Sequence, residues 1–338
     1  MSAAKPETVI AVLGAGSWGT ALSMQLARAG ARPVLWDIDV AHLEAISEAG
    51  RNERFLPDHP LPPEVRVEAD LEAALRAAGE ILVVVPSHAF VGLIERIAPW
   101  LRPGQGVAWA CKGLEPGTGQ FLHEPAGRVF GGSRPLAVVT GPSFAVEVAA
   151  GLPTAVTVAG TDPVFCARIA HLLHAGNFRA YTSDDIVGAE LGGSVKNVLA
   201  IATGMCDGMG LGDNARAALV TRGLAEMMRL GRELGAREQT LMGLAGMGDL
   251  VLTCTSDLSR NRRLGLALGA GRSVEEAVAG IGQVVEGVKA AREIRRMARR
   301  HAVEMPISEQ VYGIVHEGWD PRKCLRDLLS REQKDEHY

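Results

Sequence analysis

The chain is 338 residues long, 47% hydrophobic and 22% charged, with a formal net charge of −4. That length suits two sizeable cores, while the slightly acidic balance argues against a global positive field for nucleic acid or anionic lipid. No uninterrupted apolar run reaches membrane-spanning length, residues 1–7 lack the apolar centre of a secretory leader, and the five cysteines (Cys111, Cys166, Cys206, Cys254, Cys324) are scattered, so a cytoplasmic protein with reduced thiols is expected.

In chain order, residues 8–30 read as strand, glycine turn and helix, 31–37 as a second strand and 40–50 as a helix. A proline-rich excursion follows at 52–64, without regular structure. The β-branched run 80–86 reads as a buried parallel strand. Segments 106–113 and 135–142 each pass from an apolar strand into a glycine-bearing loop; strand 154–160, a helix over 163–175 and strand 178–183 follow. Strands alternating with helices predict a doubly wound, Rossmann-type parallel sheet. Beyond residue 185 helical periodicity takes over, with helices expected over 187–209, 214–234, 246–254, 259–269, 284–302, 306–317 and 321–330. The expected α/β organisation is a dinucleotide-binding domain over 1–188 and an all-helical substrate and catalytic domain over 189–338.

GAGSWG (14–19) directly follows the first strand and opens a helix, the context that gives such a pattern meaning. Gly14 permits the tight turn, Gly16 lets backbone approach a pyrophosphate at the helix N-terminus, and Gly19 lets helix and strand pack closely. The second strand ends at Asp37, where a carboxylate binds the ribose hydroxyls and repels a 2′-phosphate; the alternative is a simple cap on the next helix. WDID (36–39) offers no arginine to receive such a phosphate, so NAD is favoured over NADP.

Only six of the 35 basic residues are lysines, at 5, 112, 196, 289, 323 and 334. A lysine in an apolar setting of this chain therefore points to a compact amine that can titrate. In LGGSVKNVLA, Lys196 follows Gly192 and Gly193 on one helical face, with Ala189 and Ala200 a turn or two away. Close helix packing wants such glycines; a cleft admitting a small substrate to the amine accounts for the lysine as well. Burial beside another cation would bring that amine toward working pH. Lys112, at the C-terminal end of a sheet strand, is the candidate cation, unless it is a surface loop lysine.

Asp249 and Thr253 are four apart in AGMGDLVLTCTS, hence on one helical face, where Asp249 either orients Lys196 or favours a helix start. Ser259 is a candidate N-cap, and Arg260 and Asn261 lie in the first turn after it, a combination that suits a phosphate group. Arg262, Arg263 and the RRMARR run (295–300) read as solvated surface. Gly141 and Ser143 in GPSFAVE either face the cleft or form a plain loop with Ser143 as a cap. No metal-ligand spacing, GxSxG elbow or Ser/His/Asp set is present.

The stretches GAGSWGTAL, NERFLP, VPSHAF, CKGLE, TGPSFAVE, LGGSVKNVLAIATGMCDGMGLGDNARAALVTRGLAEM, AGMGDLVLTCTSDLSRNRRLG, QVVEG and EMPI resemble bacterial-type NAD(P)-dependent glycerol-3-phosphate dehydrogenase from residue 14 to about 306. The resemblance implies reversible reduction of dihydroxyacetone phosphate to sn-glycerol 3-phosphate, a precursor of glycerophospholipids, in a homodimer. It implies Lys196 as proton donor and acceptor. It implies substrate contacts at Lys112, Gly141, Ser143, Asp249, Ser259, Arg260 and Asn261, and cofactor contacts at Ser17, Trp18, Phe90, Lys112, Ala145, Arg260, Val284 and Glu286. Phe55 stands where a tyrosine is commoner, and Ile38 stands where NADP-using relatives often carry a basic residue. The alternatives are a related dehydrogenase of a β-hydroxy acid or ketopantoate-like substrate, and a non-catalytic dinucleotide redox sensor.

Overall fold

The computed structural model describes residues 8–132 and 134–330; Lys5, Lys334 and the opening segment 1–7 lie outside the described residues. Among the described residues eight strands form one sheet: β1 (Val9–Leu13), β2 (Arg32–Trp36), β3 (Arg66–Val67), β4 (Glu80–Val83), β5 (Val107–Trp109), β6 (Leu136–Thr140), β7 (Thr154–Gly160) and β8 (Phe178–Ser183). Their order is β3-β2-β1-β4-β5-β6-β7-β8. The sheet is mostly rather than wholly parallel, because β7 runs antiparallel to β6. The chain between them contains one short helix of five residues, Ala145–Ala149, too little for the crossover that a parallel return requires.

Helices α1 (Ser17–Arg28), α2 (Val40–Ala49), α3 (Leu71–Ala77), α4 (Ser87–Ile97), α5 (His123–Phe130), α6 (Ala145–Ala149) and α7 (Pro163–Leu173) connect the strands. Between Ile186 and Leu329 the chain is built of helices: α8 (Ile186–Gly208), α9 (Asp213–Glu233), α10 (Glu238–Met242), α11 (Asp249–Thr255), α12 (Arg260–Gly269), α13 (Val274–Ile281), α14 (Glu286–Arg300), α15 (Pro306–Glu317) and α16 (Pro321–Leu329). A π-helical turn, Leu244–Gly248, feeds α11. One apolar cluster fills the sheet and its helices and a second fills the helical region.

Helix α8 runs through the centre of the second cluster with 19 consecutive buried residues, Gly188 to Cys206. It crosses α12 by a reciprocal close approach. A Cβ on Gly204 would lie 2.2 Å from the Arg262 carbonyl oxygen and one on Gly208 2.3 Å from that of Leu266; from the other side, Gly265 and Gly269 meet the carbonyls of Ile201 and Met205 at 2.1 and 2.4 Å. Glycines four apart on both helices thus remove the side chains that would hold the axes apart. This crossing sets the start of α12 against the middle of α8.

Candidate active site

The strands β1, β4, β5 and β6 end on one edge of the sheet, and their following loops supply the glycine turn, Ser87, Lys112 and the Gly141–Ser143 loop. Open α/β sheets bind ligands at this edge. Gly14 has φ +121°, and a Cβ there would meet the Val84 carbonyl at 2.3 Å; one on Gly19 would meet the Gly14 carbonyl. Gly16 differs, since a Cβ there would meet nothing within 4 Å. Protein packing therefore explains Gly14 and Gly19 but not Gly16. Gly16 is also the N-cap of α1 and supplies no side-chain cap. An approaching phosphate accounts for bare backbone there, so the residues fit a dinucleotide.

Asp37 does not cap α2; Asp39 does, accepting from the His42 amide at 3.1 Å. Asp37 instead accepts from the Ala15 amide inside the glycine turn at 2.6 Å and from the Asp39 amide at 3.0 Å. Its carboxylate thereby sits at the turn, where an adenosine ribose would lie. Ile38 is 75% exposed.

On the facing helical side, Lys196 is 6% exposed. Its Nζ donates to Asp249 Oδ1 at 2.5 Å and to Thr253 Oγ1 at 3.0 Å. Asp249, itself 1% exposed, uses its other oxygen to accept from Lys112 Nζ at 2.9 Å. Lys112 also donates to the Gly141 carbonyl at 2.9 Å and to Ser143 Oγ at 3.4 Å. One carboxylate thus bridges two ammonium groups across the junction of sheet and helices. Burial pulls the Lys196 ammonium down to about 7; Asp249 opposes the fall and the Lys112 charge adds to it. The result is an amine able to give or take a proton near neutrality.

Helix geometry brings these groups together. Gly192 does not open a cleft, contrary to the sequence reading: a Cβ there would lie 2.2 Å from the Ala245 carbonyl. It lets the π-helical turn press against α8 and so delivers Asp249 and Thr253, on the first turns of α11, to Lys196. Gly193 faces the Thr140 hydroxyl, 3.1 Å from where its Cβ would stand, with the Lys112 stem at 3.8 Å.

Ser259 caps α12 through the Arg262 amide at 3.2 Å. Asn261 donates to Asn197 Oδ1 at 2.9 Å, and its own Oδ1 accepts from the Gly287 amide at 2.9 Å. The α12 start is thereby fastened to α8 one residue past Lys196 and to the start of α14. Arg260 is half-buried; among the described residues its side chain has one hydrogen bond, a 3.5 Å contact to Gln283 Oε1. Arg262 is a correction: it is buried rather than solvated, donating to Asp207 Oδ2 at 2.6 Å and to Asp257, and it pins the turn that precedes Ser259. Arg263 is exposed.

Glu286 accepts from Ser87 Oγ at 2.9 Å and lies beside Gly113, next to Lys112, which ties α14 to the sheet edge. Val284 is 40% exposed. Ala145 begins α6 and is half-buried. Trp18 is partly buried with its indole N–H unpartnered among the described residues. Phe90 is fully buried against Trp109, ring centroids 5.5 Å apart, so its ring lies within the core behind the β4–α4 wall. Ser143 donates to the Gly141 carbonyl at 3.0 Å and does not cap α6. Sequence reasoning gave no role to Asn197 or Ser87; a polar residue beside Lys196 in an apolar helix is the signal for the first, and nothing local marks the second.

A glycine-turn sheet whose edge supplies Lys112, facing helices that supply buried Lys196 and Asp249, defines a two-part, nucleotide-dependent oxidoreductase. Family models described as NAD-dependent glycerol-3-phosphate dehydrogenase N-terminus and C-terminus match residues 9–166 and 185–326. The chain is 59% identical over 328 residues to glycerol-3-phosphate dehydrogenase (NAD(P)+) of Stenotrophomonas maltophilia strain R551-3, covering 97% of this chain and 96% of that one. A 2.1 Å crystal structure of glycerol-3-phosphate dehydrogenase from Coxiella burnetii superposes with TM-score 0.93 at 48% identity, over 96% of this chain and 99% of that chain. The chain belongs to the NAD-dependent glycerol-3-phosphate dehydrogenase family. A ketopantoate reductase from Ralstonia eutropha shares the fold alone, at TM-score 0.59 and 16% identity.

Proposed function

We propose that this chain interconverts dihydroxyacetone phosphate and sn-glycerol 3-phosphate with a nicotinamide dinucleotide, Lys196 moving the proton. The observation that carries this reading is the Lys196–Asp249–Lys112 set, with Lys196 buried and drawn to about 7. When bound, the dinucleotide supplies or accepts the hydride. Lys196 gives its proton to the carbonyl oxygen on which negative charge develops, and takes it back from the alcohol in reverse; such general acid–base assistance contributes about 10²–10⁴-fold. Asp249 and Thr253 fix the direction of the Nζ, and Lys112 keeps the carboxylate in place while adding positive potential for an oxyanion. Arg260, Asn261 and the amides behind Ser259 hold the phosphate, and that remote binding positions the carbonyl. Gly141 and Ser143 complete the substrate pocket. Gly14, Gly16, Ser17, Trp18, Gly19 and Asp37 would hold the dinucleotide, and Lys112, Ala145, Arg260, Val284 and Glu286 would surround its nicotinamide end, while Phe90, fully buried against Trp109, would back that wall from the core and not touch the cofactor with its ring.

Asp37 at the turn and the apolar Ile38 favour NAD over NADP. Two apolar clusters support a division into 1–188 and 189–338, with Leu114 and Phe121 crossing into the helical cluster and Ala189 and Ala245 into the sheet cluster. The product supplies glycerophospholipid synthesis. The protein acts in the cytoplasm as a homodimer, as its resemblance implies; among the described residues no helix is long and apolar enough to cross a membrane. The test follows loss of NADH, and of NADPH in parallel, on adding dihydroxyacetone phosphate. Rapid loss of NADH with much slower loss of NADPH is expected. Equal loss of both removes the NAD preference; loss of neither by folded protein removes the activity.

A further inference from the structure

The turn that follows α2 is built onto the glycine turn. Asn52 is fully buried, and its Nδ2 donates to the Ala15 carbonyl and to Thr20 Oγ1, both at 2.8 Å. Its own Oδ1 accepts from the Phe55 amide at 3.2 Å and its carbonyl from the Leu56 amide at 2.8 Å. The same Ala15 whose amide is held by Asp37 therefore anchors residues 52–56 through its carbonyl. His42 closes the arrangement, with Nε2 3.2 Å from that carbonyl and its ring edge-on to Phe55 at 5.4 Å.

Arg54 projects from this turn, its guanidinium 5.0 Å from the centre of the Phe55 ring. It pairs with Asp39 at 3.5 Å; the two side chains are 63% and 48% exposed. A pair so open to water is weak and exchanges readily for a better partner. A phosphate dianion is such a partner, because the planar guanidinium matches its oxygens two at a time. The sequence offered no arginine next to Asp37, yet the fold brings one from the 52–56 turn to Asp39, whose amide Asp37 holds.

We infer that Arg54 is the group that meets a 2′-phosphate on the adenosine ribose, and that Asp39 holds it back, so that the Asp39–Arg54 pair sets how far Asp37 excludes the phosphorylated dinucleotide. This rests on reading the glycine turn as the dinucleotide site. Asp37 repels the phosphate at the ribose; Arg54 offers partial compensation from outside; Asp39 competes with the phosphate for Arg54.

Isothermal titration of the full chain with ADP-ribose and with 2′-phospho-ADP-ribose, at low salt, tests this apart from catalysis. Arg54→Gln is expected to weaken the phosphorylated compound about tenfold, the order of one charge-assisted pair at an exposed site, and to leave ADP-ribose within about twofold. Asp39→Asn keeps a good helix cap and is expected to tighten the phosphorylated compound about threefold. An unchanged ratio of the two affinities in Arg54→Gln overturns the assignment of Arg54 while the dinucleotide site stands. Binding of neither compound by folded wild-type protein overturns the site and the inference together.

Discussion

Replacing Gly265 by alanine tests the crossing that assembles the site. The added Cβ would stand 2.1 Å from the Ile201 carbonyl oxygen and 2.8 Å from the Met205 amide nitrogen, about 1.3 Å inside the 3.4 Å at which ordinary contact begins. Backbone cannot rotate aside, so α8 and α12 must part by roughly 1 Å. Overpacking of this kind costs about 1–3 kcal/mol, and contact with two backbone atoms puts it near the upper end. Alanine returns about 1 kcal/mol of helix propensity, leaving a net loss of about 2 kcal/mol. Gly92 on α4 is the control, exposed with nothing within 4 Å of a Cβ, so Gly92→Ala is expected to gain about 1 kcal/mol. Urea denaturation followed by circular dichroism should separate the two variants by about 3 kcal/mol. The parting also carries Ser259, Arg260 and Asn261 off Asn197, so KM for dihydroxyacetone phosphate should rise severalfold in Gly265→Ala alone. Equal stability of the two variants would refute the reasoning.

Three further outcomes are expected. Carbonyl reduction needs the Lys196 ammonium and alcohol oxidation the amine, so with Lys196 near 7 the first rate falls and the second rises as pH passes about 7; Lys112→Met removes a positive neighbour and should move both transitions upward in a pH–rate profile. Arg260→Ala should raise KM for dihydroxyacetone phosphate at least tenfold with a smaller change in kcat, measured in steady state. Buried Glu226 accepts from the Ile307 amide at 2.5 Å and the Ser308 amide at 3.1 Å at the start of α15, so Glu226→Ala should cost about 1–3 kcal/mol in urea denaturation. Burial raises its carboxyl to about 7 from 4.5; the fold therefore favours the protonated form, and the stability it contributes is full below 4.5 and is lost as pH rises through about 7, a decline that Glu226→Gln should abolish.

Much of the site was legible because its chemistry uses rare residue types at local spacings. Gly14, Gly16 and Gly19 read directly off strand–turn–helix context, and a lysine within an apolar helix marked Lys196. Other features depend on partners distant in sequence. Gly192 looked like an opening for substrate, and only the position of Ala245, 53 residues on, shows it to be a packing contact. Arg262 read as solvated because Asp207 and Asp257 are not its helix-face neighbours. The reversal of β7 hangs on how little helix its connection contains, which strand periodicity does not report. Helix α13 was overlooked although Ser273 and Glu276 form a capping box that is visible as S-x-x-E. Arg54 lies in the excursion read as irregular, where no periodicity ties it to Asp39.

The account rests most on Lys196 as the proton-transfer group. The most direct test compares kcat for reduction of dihydroxyacetone phosphate in wild type and Lys196→Met, with NADH affinity measured alongside. The account predicts a loss of at least about 10²-fold in kcat with NADH affinity preserved. Near-normal turnover in Lys196→Met would contradict it.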